Sequence, residues 1–138
     1  MARPVSPQPT PAELEILKVL WETGPATVRQ VMERLAGDRA YTTIMTTMNV
    51  MHDKGLLRRR PAGKAFVYRP AAARDKTLRR MVGDIIDRAF EGSASALVAH
   101  LLEESRPDEA ELDEIRRLIR QQHSESRRTR SREGHEEE

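Results

Sequence analysis

Residues Arg39 to Arg69, RAYTTIMTTMNVMHDKGLLRRRPAGKAFVYR, hold the pattern that decides the fold. Ile44, Met48 and Met51 recur at i, i+4 and i+7, the spacing of an apolar stripe on one helix face. The other face carries Thr42, Thr43, Thr46, Asn49 and Asp53, all polar and mostly short. Gly55 is placed to end the helix in the left-handed region, where the lack of a Cβ removes the steric penalty. Leu56 and Leu57 lead into Arg58, Arg59 and Arg60, and Pro61-Ala62-Gly63-Lys64 has turn chemistry. Beyond it Phe66 and Tyr68 alternate with Val67 and Arg69, the period of a returning strand. The stretch therefore reads as helix, glycine stop, strand, tight turn and strand.

Working outward toward the N-terminus, Thr10-Pro11-Ala12-Glu13 is a helix start. Thr10 can cap, Pro11 suits the first helical position, and Glu13 can reach back to close a capping box. Leu14, Leu17, Leu20 and Trp21 form the apolar stripe of this first helix, and Gly24-Pro25 breaks it. Thr27-Val28-Arg29-Gln30 repeats the capping-box pattern, with Val28, Val31, Met32 and Leu35 facing inward before Gly37. Helix, helix, helix, hairpin with short connections is the order of a winged helix-turn-helix.

Past Pro70 the pattern is helical only. Leu78, Met81, Val82, Ile85, Ile86 and Ala89 make a wide stripe that should end near Gly92. Ser93 caps a further helix with Leu97, Val98, Leu101 and Leu102, and Pro107-Asp108 starts another with Leu112, Ile115, Leu118 and Ile119. Three amphipathic helices carry more apolar surface than a small winged domain covers, so a second copy of the chain is the expected partner. The expected organisation is an unstructured leader over residues 1–9 and a winged domain over 10–71. A helical dimerisation region over 72–122 and an unstructured charged tail over 123–138 follow. The fold class is mostly α with a small β-wing.

Composition bounds the function. The chain has 138 residues, a formal net charge of +2 and only 4% aromatics, so its core must be aliphatic. Charge is unevenly spread. From Lys54 to Arg80 a run of lysines and arginines is opposed only by Asp75, while acidic residues gather between Glu103 and Glu114. The absence of cysteine excludes disulfides, thiolate metal sites and cysteine nucleophiles. His52, His100, His123 and His135 have no metal-ligand spacing, and nothing places a nucleophile beside a base, so neither metal, cofactor nor enzyme activity is expected. No apolar run is long enough to span a bilayer and no secretory leader is legible, so a cytoplasmic protein without membrane insertion is expected.

A helix with a short polar face, followed at once by a basic hairpin, suits a duplex groove flanked by phosphates. The residues expected to contact DNA from the helix are Tyr41, Thr42, Thr43, Met45, Thr46 and Asn49. A threonine methyl and hydroxyl can meet a thymine methyl, a base edge or a phosphate. Arg58, Arg59, Arg60 and Lys64 are the expected wing contacts, although strand alternation lets at most two of the three arginines point the same way. Two other uses of the same fold compete: a protein-interaction module gripping a partner through the acidic helices, and a DNA binder with little sequence preference.

Three segments together resemble the penicillinase-repressor (BlaI/MecI) family of bacterial transcriptional repressors. They are TPAELEILKVLWETGPATVRQV, AYTTIMTTMNVMHDKGLLRRRPAGKAFVYRP and FEGSASALVAHLLEE, in that order. The resemblance runs from Thr10 to Gln121. It implies a homodimer whose winged domains bind a dyad-symmetric operator in double-stranded DNA. It further implies dimerisation through Leu78, Met81, Val82, Ile85, Leu97, Leu101, Leu112, Ile115, Leu118 and Ile119. In the family, a membrane-bound sensor metalloprotease, or a signal downstream of it, leads to cleavage in the dimerisation helices and so to derepression, with a β-lactam response among the tasks served. Where cut members carry Asn-Phe, this chain has His100-Leu101, which implies a site of altered specificity.

Overall fold

The computed structural model describes residues 8–136. These divide into two compact units, one ending at Arg88 and the other starting at Ala89. The first contains α1 (Pro11–Thr23), α2 (Val28–Arg34), α3 (Tyr41–Asp53), β1 (Leu57–Ala62), β2 (Ala65–Pro70) and α4, which runs Arg74–Ala89 across the boundary. The second contains α5 (Ala94–Ser105) and α6 (Glu109–Glu136). Residues 1–7 of the expected leader lie outside the described residues, but Pro9 is buried.

Both capping boxes form. The Thr10 hydroxyl accepts from the Glu13 N–H and the Glu13 carboxylate from the Thr10 N–H; Thr27 and Gln30 repeat the exchange at α2. Such an exchange satisfies amide donors that a helix start leaves unpaired. Leu17 and Leu20 are buried as the stripe requires, but Ile16 takes the place expected for Leu14, which is half-buried. Ile44, Met48 and Met51 of α3 join them, with Val28, Val31, Leu57 and Tyr68.

Gly55 lies at φ 84°, the left-handed stop its position requires. β1 and β2 pair antiparallel with Arg59 opposite Tyr68 and Ala62 opposite Ala65. The turn is therefore only Gly63-Lys64, with Gly63 at φ 65°, and Pro61 and Ala62 belong to the strand instead of the turn. Ala62 and Ala65 close a two-residue hairpin as its hydrogen-bonded pair, so Pro61 takes a site whose N–H would face outward, where proline costs no ladder bond. Ala26, in the connection from α1 to α2, adds a third partner: its N–H donates to the Tyr68 carbonyl at 3.0 Å and its carbonyl accepts from the Tyr68 N–H at 2.8 Å.

Two contacts tie the ends of these elements together. Lys54, just past α3, donates to Glu13 at 2.7 Å, and the Glu13 residue is only 4% exposed. Trp21 of α1 donates its indole N–H to the Ala72 carbonyl at 3.1 Å, which fixes the exit of the hairpin.

In the second unit, Ser93 caps α5 and Asp108 caps α6 through the Glu111 N–H. No described residue of α5 or α6 is buried. α6 continues to Glu136, through the stretch expected to be unstructured. Residues 122–133 hold neither glycine nor proline to stop it, and arginine, glutamine and glutamate are good helix formers.

Candidate nucleic-acid interface

α3 places Tyr41, Thr42, Thr43 and Thr46 on its exposed side over its first two turns. Ala40 stands at its N-cap and makes no side-chain cap, unlike the residues before α1 and α2. The first-turn amides of α3 are thus left for an outside acceptor, and a helix N-terminus of this kind favours a phosphate oxygen. Met45 is half-buried and packs against the core, so only part of it faces outward.

The hairpin is joined to α3 by a polar cluster that the sequence reading missed. Tyr68 is 2% exposed, yet its hydroxyl reaches out of the core to donate to Asn49 Oδ1 at 2.9 Å. Arg59 donates to the same oxygen at 3.1 Å and lies with its guanidinium 4.3 Å from the centre of the Phe66 ring. Asn49, expected to reach DNA, therefore has its carbonyl oxygen held inside the protein. Arg59 is likewise held over the junction.

Alternation sends Arg58 and Arg60 to the outer face of the hairpin, opposite Arg59, and both are exposed. Lys64 is exposed at the turn. Between α3, the start of α2 and the inner face of the hairpin runs a groove of about 780 Å³. Arg29, Arg59 and Lys64 line it against Asp53 as the one carboxylate, so its charge is net positive. Arg29 stacks at 5.8 Å over Tyr41, which brings α2 to the mouth of the same groove; no sequence signal had singled it out.

None of the residues expected to dimerise is buried. Leu78, Met81, Leu97, Leu112 and Ile115 are half-buried, whereas Val82, Ile85, Leu101, Leu118 and Ile119 are exposed, from 46% at Ile85 to 60% at Ile119. His100 lies within α5 with its ring 5.3 Å from that of Phe90, and both His100 and Leu101 face outward. No described helix is long and apolar enough to cross a membrane.

Known proteins resemble this chain in sequence over most of its length. The penicillinase-repressor family model matches residues 9–121. A transcriptional regulator named BlaI from Mycobacterium tuberculosis is 35% identical over 111 residues, covering 78% of this chain and 79% of the relative. A penicillinase repressor from Bacillus licheniformis is 25% identical over 115 residues, covering 82% and 90%. Among solved structures, the winged helix-turn-helix domain of a possible ArsR-family regulator from Mycobacterium bovis is 24% identical, with a TM-score of 0.40 over 59% of this chain and 72% of that one. The chain belongs to the penicillinase-repressor (BlaI/MecI) family and is a DNA-binding transcriptional repressor, not an enzyme.

Proposed function

We propose that the protein represses transcription in the cytoplasm as a homodimer that reads a dyad-symmetric operator. The observation that carries this reading is the exposed threonine face of α3 beside a basic hairpin locked to it through Asn49. Thr42, Thr43 and Thr46, with Tyr41 and the outer part of Met45, face the base edges of a major groove. Arg58, Arg60 and Lys64 take the flanking phosphates, and the uncapped amides of α3 take another. Arg59 and Asn49 position the wing.

The bare apolar stripes of α4, α5 and α6 bury against a second copy, through Leu78, Met81, Val82, Ile85, Leu97, Leu101, Leu112, Ile115, Leu118 and Ile119. Two linked half-site contacts raise effective concentration, so the dimer sets the operator affinity. A bound dimer overlapping a promoter blocks transcription sterically. Cleavage at His100-Leu101 by a membrane-bound sensor metalloprotease, or by a protease acting downstream of it, relieves the block by cutting α5. That cut requires local opening of the helix, because a helical peptide bond is not extended for a protease.

Binding of the full chain to its own upstream intergenic DNA and to a scrambled duplex, across a salt series, tests the proposal. Tight binding with a dyad footprint and strong preference over the scramble is expected. Equal binding to both, lost steeply with salt, overturns sequence specificity.

A further inference from the structure

The half of α6 beyond the family match has a chemistry of its own. The match ends at Gln121, and residues 122–136 contain no apolar side chain. They add nothing to a hydrophobic interface. Instead Arg116, Arg120, His123, Arg127 and Arg130 recur at i, i+4, i+7, i+11 and i+14 on one helix, which lines them along a single face. The line covers about 21 Å of helix at 1.5 Å per residue. Between Arg116 and Arg132 the one carboxylate is Glu125, and its helical position is opposite the line.

Ordinary solvated helices interleave opposite charges three or four residues apart, and the start of α6 does so. Arg116 pairs with Asp113, and Arg117 pairs with Glu114, whose carboxyl is thereby held below its usual range. Arg120 and Arg127 have no carboxylate three or four residues away, and Arg120, Arg127 and Arg130 form no ion pair among the described residues. Three guanidinium groups on one face, at Arg120, Arg127 and Arg130, with no ion-pair partner among the described residues disfavour the helix unless something anionic lies along them. A guanidinium presents paired N–H donors that match two phosphate oxygens at once. A duplex offers phosphates every 3.4 Å or so of its axis on each strand, so the line matches on the order of six base pairs.

We propose that this arginine line, from Arg116 to Arg130 of α6, is a second, sequence-independent contact with the phosphate backbone of duplex DNA. It rests on the reading of the protein as a duplex binder and adds affinity without adding readout.

The test replaces Arg120, Arg127 and Arg130 together by Gln in the full chain and measures binding to the upstream duplex and to a scramble across a salt series. Both affinities should fall by the same factor, and the slope of log K against log salt should become shallower by about 2–3 units, near 0.9 per lost phosphate contact. A control replaces Arg117, Arg128 and Arg132 by Gln, removing equal charge from the other side, and should leave the slope nearly unchanged. An unchanged slope in the first variant overturns the contact. An equal drop in both variants overturns the line in favour of a diffuse basic tail. A first variant that loses its dimer by sedimentation while its slope holds assigns the arginines to a second copy's acidic helices and overturns the proposal. Wild-type protein that binds neither duplex overturns the underlying reading as well, which separates the two failures.

Discussion

The Tyr68 hydroxyl donates to Asn49 Oδ1 across 2.9 Å, and this bond, made from inside the core, sets the hairpin against α3. Arg59 shares the same acceptor. Tyr68→Phe should cost about 0.5–1.5 kcal/mol of stability, the net worth of one hydrogen bond. It should weaken binding to all duplexes alike, because the hairpin loses its set angle while the threonine face is untouched. Denaturant melts and binding to a panel of single-base operator variants check this; a relaxed preference at one base position would mean that Asn49 itself reads DNA.

The threonines of α3 give a test in which stability and affinity move apart. Thr43 and Thr46 are exposed, and alanine is the better helix former, so Thr→Ala at either should hold or slightly raise the melting temperature. Operator affinity should drop by about 1–3 kcal/mol for a lost base contact, with preference flattened at the base concerned. Normal operator binding by both variants would show that the readout face lies elsewhere.

Much of this architecture is local in the chain and so legible there. A capping box joins residues three apart, as Thr10 with Glu13 and Thr27 with Gln30, and the stripe of Ile44, Met48 and Met51 repeats within one helix. What escaped the reading depends on distant partners. The Asn49 oxygen is claimed by Arg59 and Tyr68, and Ala26 meets Tyr68 across the core; neither pairing leaves a local trace. Leu14 and Ile16 fit the helical pattern equally well, and only packing against the neighbouring elements decides which is buried. The course of α6 past Gln122 balances helix propensity against the lack of anything to bury, and composition alone does not resolve that balance.

Glu13 and Lys54 are 41 residues apart in sequence and 2.7 Å apart in space. Glu13 serves the capping box and this ion pair with the same oxygen. Lys54→Ala leaves a buried carboxylate without its cation and should cost about 3–5 kcal/mol, the penalty for breaking a buried pair. Glu13→Gln should cost less, because the amide oxygen can still accept from Thr10 and the long lysine side chain can turn its amine toward water. Chemical melts of both variants give the comparison, and a negligible loss for Lys54→Ala would show that the pair adds nothing beyond the cap.

The apolar faces of the C-terminal helices give the sharpest separation of folding from assembly. Val82 and Ile85 are 48% and 46% exposed on α4, whereas the winged core is built from α1, α2, α3 and the hairpin. Val82→Asp with Ile85→Asp should therefore leave that core folded, because neither side chain belongs to it. Charge placed in an apolar interface is unpaired and desolvated, so the dimer should dissociate. Sedimentation should show a monomer, while the hairpin and α3 keep their native chemical shifts. Operator affinity should fall by orders of magnitude, since each winged unit then binds its half-site alone. A double variant that remains a dimer with normal operator affinity would move the interface away from α4 and leave α5 and α6 to supply it.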